Sequence, residues 1–318
     1  MTTRKDIDMA RPIAVLYGGT SAERAVSLVS GQAVADALMK LQVPHEMVDQ
    51  TGDWIGALKK LNPQMVFIAL HGGDGENGTV QAVLDTLKLP YNGSGVLASA
   101  LAMDKVKSKA LFAFHGIDVP AGEYFAPGRS PSTAEGLTKI KLPVVVKPAA
   151  QGSSVGVSIV RTAADWSKAV KLADQYGQTV MVEEFIPGHE LTVALLDGKA
   201  LAVTEILADK GVFYDYDSKY AAGGSRHVVP AQIPADVTES CLRVSEQAYA
   251  ALGAAGAARV DLRYDPASGR VVVLELNTLP GMTGTSLLPE QARYTGYSFE
   301  MLIKKLVEDA LCQNRSVA

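Results

Sequence analysis

The chain has 318 residues, of which 47% are hydrophobic, so it is long enough for about two or three domains with a sizeable buried core. Its net charge of −4 comes with no long basic run, which gives little support to a nucleic-acid partner. Residues 1–11 are polar and charged, and no apolar run approaches the roughly 18 residues that span a membrane, so we expect no signal peptide and no membrane partner. Cys241 and Cys312 are far apart and lack metal-ligand spacing, which is typical of a reducing, cytoplasmic location.

Predicted strands and helices alternate through the first part of the chain. In order they are strand 13–16, helix 20–41, strand 45–48, helix 54–61, strand 65–70 and helix 79–87. Such alternation favours a parallel sheet covered by helices on both faces, and ligands bind these sheets at the carboxyl ends of the strands. Glu23 and His71 both lie just beyond such ends, so they are candidate ligand contacts. The alternatives are a helix-capping carboxylate for Glu23 and a loop-packing histidine for His71.

Residues 96–115 predict one long helix that carries three lysines, Lys105, Lys107 and Lys109. We expect most of these lysines to be solvated, because lysine is rarely buried without a partner.

A short apolar strand at 144–147 ends in Lys147 and is followed by a loop of small residues at 148–156. Small residues let backbone N–H groups approach a phosphate, and Ser153 and Ser154 add hydroxyl donors. The chain contains no Gly-Lys-Ser/Thr sequence, so a Walker A motif is absent. The pattern predicts a phosphate site; an ordinary hairpin connection is the alternative.

Regular elements are also predicted in the second half. They are helix 163–175, strand 180–183, a hairpin of strands 191–196 and 199–207, helix 234–252, and helices 286–292 and 298–312. Residues 209–229 show no clear period but contain several aromatic side chains, which is more typical of a lid loop than of a disordered segment. Acidic residues at 183–190 indicate a hinge that could contact the hydroxyls of a sugar.

Two further strands, joined by a turn, occupy residues 259–277. The Asp-Pro and Ser-Gly pairs between them are strong turn sequences. Because side chains two apart share a face of a strand, Arg259 and Asp261 point one way, as do Glu275 and Asn277 on the partner. If the register brings these faces together, two carboxylates and an amide oxygen converge, which suits Mg²⁺ that still holds water and phosphate oxygens. The alternative is the solvent-facing side of a hairpin.

Several segments in this order resemble the ATP-grasp superfamily and, within it, the D-alanine–D-alanine ligases, from about residue 13 to 307. The most specific segments are 18–24 (GGTSAER), 69–72 (ALHG), 93–95 with 103–105, 147–148 with 152–156, 213–220, and 275–283. The chain departs from the family at Gln151, where many relatives have an acidic residue, and at Glu184, a hinge position that is often filled differently. Both departures concern ATP contacts.

The resemblance implies the fold and its division into domains. We expect an α/β protein, α+β in its C-terminal half, with the ATP-grasp fold and an N-terminal doubly wound parallel-sheet domain. The expected units are a substrate-binding domain at 1–95, a central ATP-grasp subdomain with the phosphate loop at 96–183, and a C-terminal ATP-grasp subdomain with the lid and the magnesium site at 184–318.

The resemblance also implies the site residues. Those for ATP would be Lys105, Lys147, Ser153, Ser154, Glu183, Glu184, Phe185, Ile186, Glu190, Phe213 and Lys219. Those for two Mg²⁺ ions, with Mn²⁺ possible, would be Asp261, Glu275 and Asn277. The D-alanine contacts would be Glu23, His71, Tyr220, Arg259, Gly281, Ser286 and Leu287. The catalytic group would comprise Glu23, Ser153, Tyr220, Arg259 and Gly281.

The implied activity is ATP-dependent ligation of two D-alanine molecules through a D-alanyl phosphate, for peptidoglycan precursors. Relatives that make D-alanyl-D-lactate have a histidine at the lid position of Tyr220, so dipeptide synthesis is favoured. A cytoplasmic homodimer is expected. The alternatives are another ATP-grasp carboxylate–amine ligase with a different acceptor, and a non-catalytic ATP-binding protein.

Overall fold

The computed structural model describes residues 7–152, 155–208 and 225–312. The strands are β1 (Ile13–Tyr17), β2 (His45–Asp49), β3 (Met65–Ile68), β4 (Gly122–Phe125), β5 (Val144–Pro148), β6 (Ser158–Val160), β7 (Val180–Glu184), β8 (His189–Leu196), β9 (Lys199–Ala208), β10 (Ser225–Val228), β11 (Ala257–Asp265) and β12 (Arg270–Asn277). The α-helices are α1 (Arg24–Lys40), α2 (Trp54–Leu61), α3 (Thr79–Thr86), α4 (Val96–Met103), α5 (Lys105–Phe114), α6 (Ala163–Asp174), α7 (Ala235–Leu252), α8 (Leu287–Tyr294) and α9 (Phe299–Cys312).

The first sheet is parallel, as predicted, and its strand order is β2-β1-β3. Alternate residues of β1 enter two different cores. Ile13 packs in one core with Leu38 of α1, and Leu16 packs in the other with Leu84 of α3. Helix α9, from the C-terminal end of the chain, joins the first of these cores. Burial on both faces is what a doubly wound sheet requires. The loops that follow β1 and β3, at 18–21 and 70–75, line a cleft at the carboxyl ends of these strands.

The other two sheets are antiparallel. One has the order β4-β7-β5-β6, and the other has the order β10-β9-β8-β11-β12. These sheets give the second half its α+β character, which confirms the predicted fold class. Strand β4 was not predicted, because its four residues, Gly-Glu-Tyr-Phe, do not alternate between apolar and polar side chains. No helix in the described parts of the chain has the length and apolarity that a membrane crossing needs.

The predicted helix 96–115 is wrong in one respect, since it is two helices. Asp104 is extended between α4 and α5, and its side chain accepts hydrogen bonds from the backbone N–H groups of Val106 and Lys107. An aspartate in this position caps a new helix start and competes with continuation of the previous helix. The break turns the face that bears Lys105 and Lys109 toward the interior.

The prediction that most lysines of this segment are solvated is also wrong. Lys105 is 8% exposed and Lys109 is 1% exposed, whereas Lys107 is exposed. Lys105 and Lys109 are four apart and therefore share one face of α5.

The predicted irregular stretch at 209–229 is shorter than expected, because residues 225–228 form β10 against β9. The core of the predicted lid, at 209–224, lies outside the described residues.

Candidate active site

Strands β11 and β12 bring the predicted metal-binding side chains together. Arg259 lies opposite Asn277, and Asp261 lies opposite Glu275. Asp265 pairs with Arg270 at the turn, so a regular ladder from this pair would place Asp261 opposite Leu274. A register shift between Asp261 and Leu262 places Asp261 opposite Glu275 instead. β-Bulges commonly re-aim side chains in this way beside active sites.

Each oxygen-bearing side chain of this group has a partner of its own. The Nε and Nη2 atoms of Arg259 lie 2.9 Å from Oδ1 and Oδ2 of Asp261, and Thr192 Oγ1 donates to Oδ1 at 2.7 Å. Lys105 Nζ lies 3.1 Å from Glu275 Oε2. Asn277 Oδ1 accepts from the N–H of Leu279 at 2.9 Å.

The donor set fits a hard divalent cation. Carboxylate and amide oxygens are the ligands that Mg²⁺ and Mn²⁺ prefer. Among the residues that the structure describes, no group of three or more His, Cys, Asp or Glu side chains has metal-binding spacing. The predicted set has two carboxylates, Asp261 and Glu275, and is completed by the amide of Asn277. Such a set leaves coordination positions for phosphate oxygens or water.

Two adjoining clefts open at these strands. One contains most of the predicted D-alanine contacts: Glu23, His71, Arg259, Gly281, Ser286 and Leu287. The other contains most of the predicted ATP contacts: Lys105, Lys147, Glu183, Glu184, Phe185, Ile186 and Glu190. Lys105, Glu190, Asp261 and Glu275 line both clefts. The two carboxylate candidates for the metal, Asp261 and Glu275, therefore lie at the junction of the two clefts.

Two lysines bracket the small-residue loop. Lys105 Nζ donates to the carbonyl of Gln151 at 2.7 Å, and Lys147 Nζ lies 2.8 Å from Glu183 Oε2. Gln151 therefore contributes its backbone to this arrangement. Burial opposes the charged form of Lys147, but attraction to Glu183 outweighs it and raises the pKa of the amine.

Glu183 is buried between two lysines, Lys147 and Lys109. Burial alone would raise the pKa of the Glu183 carboxyl, but its two ion pairs lower it, so the group is ionised. Sequence reasoning missed Lys109; its spacing of four from Lys105 was the available signal.

The hinge at 184–190 is held by arginines. Arg263 donates from Nε to the carbonyl of Ile186 at 3.1 Å, and its Nη1 lies 3.2 Å from Glu190 Oε2. Arg270 pairs with Glu184 at 3.1 Å, so the unusual residue at position 184 is engaged in an ion pair. The Arg161 guanidinium stacks over Phe185. The strand pattern in the sequence does not identify Arg263 as a site residue.

Glu23 lies at the N-cap position of α1 but makes no side-chain capping hydrogen bond, so the capping alternative is wrong. Its carboxylate stands beside two glycines: a Cβ atom added to Gly72 would lie 2.5 Å from Glu23 Oε2, and one added to Gly152 would lie 3.4 Å away. His71 lies next to Gly72, and its Nε2 is 2.8 Å from Ser30 Oγ. Both predicted residues therefore reach the same cleft.

The start of α8 also lines this cleft. Ser286 occupies the N-cap position, and its Oγ accepts from the N–H of Thr283 at 3.0 Å. Gly281 leaves the space for this hydroxyl, because a Cβ atom there would lie 2.6 Å from Ser286 Oγ. Backbone N–H groups at a helix start favour anions, which suits the predicted contact of Ser286 and Leu287 with a carboxylate.

Five predicted site residues lie outside the described residues. They are Ser153, Ser154, Phe213, Lys219 and Tyr220. Their assignments stay predictions.

Comparison with known proteins identifies the family. The family profile for the N-terminus of D-Ala–D-Ala ligases matches residues 56–94, and the profile for the C-terminus matches residues 114–308. The D-alanine–D-alanine ligase of Gloeobacter violaceus is 50% identical over 302 residues, which cover 94% of this chain and 99% of that protein. The ligase of Caulobacter vibrioides is 50% identical over 306 residues, with 94% and 93% coverage.

A solved structure gives the same result. The crystal structure of D-alanine–D-alanine ligase from Bacillus anthracis complexed with ATP has a TM-score of 0.79 and 31% identity, and the match covers 95% of this chain and 97% of that one. The likeness extends over nearly the whole chain in both sequence and structure. The chain therefore belongs to the D-alanine–D-alanine ligase family, with the ATP-grasp fold.

Proposed function

We propose that the chain carries out the reaction of its family, the ATP-dependent joining of two D-alanine molecules, where the two clefts meet. One observation carries the proposal: Asp261 and Glu275 face each other at the junction of the clefts, next to Arg259 and Lys105. This juxtaposition gathers cationic groups and hard oxygen ligands at the point where a γ-phosphate would meet a carboxylate.

The reaction has two steps. A carboxylate is a poor electrophile, so an oxygen of the first D-alanine carboxylate attacks the γ-phosphorus of ATP, and ADP leaves. The amine of the second D-alanine then attacks the carbonyl carbon of the acylphosphate. The tetrahedral intermediate loses inorganic phosphate, the amine loses its proton, and a peptide bond remains.

Asp261, Glu275 and Asn277 would hold two magnesium ions. Bound magnesium would supply neutralisation of the negative charge on the phosphates. In the structure, Arg259 and Lys105 balance Asp261 and Glu275 through ion pairs. These ion pairs support a role for both side chains beside the phosphate oxygens.

The remaining protein groups would position and stabilise the reacting atoms. Lys105 and Lys147 would hold ATP phosphates, since catalysis of phosphoryl transfer consists mainly of positioning and electrostatic stabilisation. Arg259 and the N–H of Gly281 would stabilise the oxyanion of the tetrahedral intermediate. The hinge at 184–190 would receive the adenine and the ribose.

The two D-alanine molecules would bind in the cleft that Arg259 lines. Glu23 would pair with the ammonium of the first, with His71 near it. Ser286 and Leu287 would hold the carboxylate of the second at the start of α8. Closure of the lid over this cleft would protect the acylphosphate from water.

Replacing Gly72 by alanine should raise the KM for the first D-alanine about tenfold, because the added Cβ would displace the Glu23 carboxylate and disturb a charged hydrogen bond. Steady-state kinetics at saturating ATP measure the change. Gly116→Ala is the matched control: Gly116 has a similar positive φ of 74°, but nothing lies within 4 Å of its Cβ position. Equal KM values for the two variants would contradict the proposed role of Glu23.

An ADP-release assay tests the proposed function. With magnesium and ATP, D-alanine should give ADP, and L-alanine or D-lactate should not. ADP release with a different amino acid alone would favour a ligase with another acceptor. ATP binding without ADP release with any amino acid would favour a non-catalytic nucleotide-binding protein. Sedimentation of the same sample tests the homodimer that we also propose.

A further inference from the structure

Three charged side chains form a buried cluster under the nucleotide cleft. Glu183 is 2% exposed, Lys109 is 1% exposed, and Lys147 is 9% exposed. Lys147 Nζ lies 2.8 Å from Oε2 of Glu183, and Lys109 Nζ pairs with Oε1 of the same carboxylate. Each carboxylate oxygen of Glu183 therefore forms an ion pair with a different lysine.

The sheet is built to admit this cluster. Glu183 of β7 lies opposite Val145 of β5, and Lys147 is two residues farther along β5, so their side chains share a face. On the other side of β7, Glu183 lies opposite Gly122 of β4. A Cβ atom at Gly122 would lie 3.2 Å from Cγ of Glu183 and 3.0 Å from the carbonyl oxygen of Val182. The absence of a side chain there leaves the room that Glu183 occupies.

Lys109 comes to this face from a separate element, helix α5. One turn earlier on the same face, Lys105 contacts Glu275 and the carbonyl of Gln151. One helix therefore carries the two lysines that contact a predicted magnesium ligand, the phosphate loop and Glu183.

We propose that Lys109 is a positioning residue: it holds one oxygen of Glu183, so that Lys147 is fixed by the other oxygen alone and keeps its ammonium available to the nucleotide phosphates. The inference rests on the proposed function, which assigns Lys147 to ATP. Without Lys109, both oxygens of Glu183 would face Lys147. The Lys147 ammonium would then form a one-to-one ion pair with Glu183. Its positive charge would be neutralised by that carboxylate and would attract the nucleotide phosphates less.

The electrostatics of the cluster agree with this role. Two ammonium groups and one carboxylate carry a net positive charge when all are ionised, and burial of a net charge is unfavourable. The pKa of the Lys109 amine is lowered to about 7, because burial and the nearby Lys147 charge together outweigh the attraction of Glu183. The groups that face Lys109 are Glu183 on β7, Lys147 on β5 and, at longer range, Glu275 on β12. An incoming polyphosphate supplies the missing negative charge and favours the protonated form.

Lys109→Met tests the role, with Lys107→Met as the matched control because Lys107 is exposed on the same helix. Titration calorimetry with a non-hydrolysable ATP analogue and magnesium, at pH 6.5, should show about tenfold to a hundredfold weaker binding for Lys109→Met and wild-type binding for Lys107→Met. The KM for ATP should rise in parallel, and the KM for D-alanine should stay unchanged.

A pH series separates positioning from a merely structural role. The affinity advantage of the wild type over Lys109→Met should be largest below pH 7 and should shrink as the pH rises, because Lys109 then loses its charge. The titration of the analogue's own phosphates cancels in this comparison. Lys109→Arg, which stays charged, should keep its affinity as the pH rises; it also serves as the test if thermal unfolding shows that Lys109→Met does not fold.

Wild-type analogue affinity in folded Lys109→Met would overturn the inference, as would a pH dependence in Lys109→Arg identical to that of the wild type. Failure of the proposed function would be distinguishable, since the wild type and Lys107→Met would then release no ADP with D-alanine.

Discussion

Replacing Arg259 by alanine should lower kcat at least about a hundredfold, because a donor aimed at a developing oxyanion typically contributes about 2.7–4 kcal/mol to transition-state stabilisation. The guanidinium is held at 2.9 Å by both oxygens of Asp261, so its position is fixed before substrate binds. Single-turnover and steady-state assays of dipeptide formation measure the effect on the chemical step.

Arg243→Ala is the matched control for this variant, because Arg243 is exposed on α7 and lies outside both clefts. It should keep the wild-type rate. A near-wild-type kcat in folded Arg259→Ala would refute the oxyanion role.

Replacing Glu275 by glutamine should lower activity at least about tenfold at a magnesium concentration that saturates the wild type. The substitution keeps the volume and removes the charge of a ligand that a divalent cation requires. The magnesium concentration that gives half-maximal rate should rise, and excess chelator should abolish the activity of the wild type. A magnesium titration at fixed ATP and D-alanine measures both effects.

Glu239→Gln removes the same charge from an exposed position on α7 and should leave the titration unchanged. Identical magnesium curves for Glu275→Gln and the wild type would remove Glu275 from the metal site.

The alternation of side chains was enough to predict which residues of the magnesium strands share a face. The register was not predictable from that pattern, because a regular ladder from the turn would set Asp261 against Leu274. The bulge that brings Glu275 opposite Asp261 depends on pairing with neighbouring strands. Period-2 patterns identify faces, whereas register follows from turn geometry and burial across the whole sheet.

The burial of Lys105 and Lys109 was missed for a related reason. Helical periodicity places both lysines on one face, but it does not say what that face meets. The break at Asp104 was readable in principle, since aspartate favours N-caps, yet the surrounding residues also favour helix. Glu183 on β7, the main partner that stabilises Lys109, is 74 residues away in the sequence.

The central claim is that ATP activates the carboxylate of one D-alanine as an acylphosphate. An experiment with isotopically labelled D-alanine tests this claim most directly. The enzyme is given ATP, magnesium and D-alanine that carries ¹⁸O in both carboxylate oxygens, and the inorganic phosphate is analysed by mass spectrometry. An acylphosphate route transfers one ¹⁸O to each phosphate, since the bond that breaks in the second step joins the carbonyl carbon to that oxygen. Dipeptide formation with unlabelled phosphate would contradict the proposed chemistry.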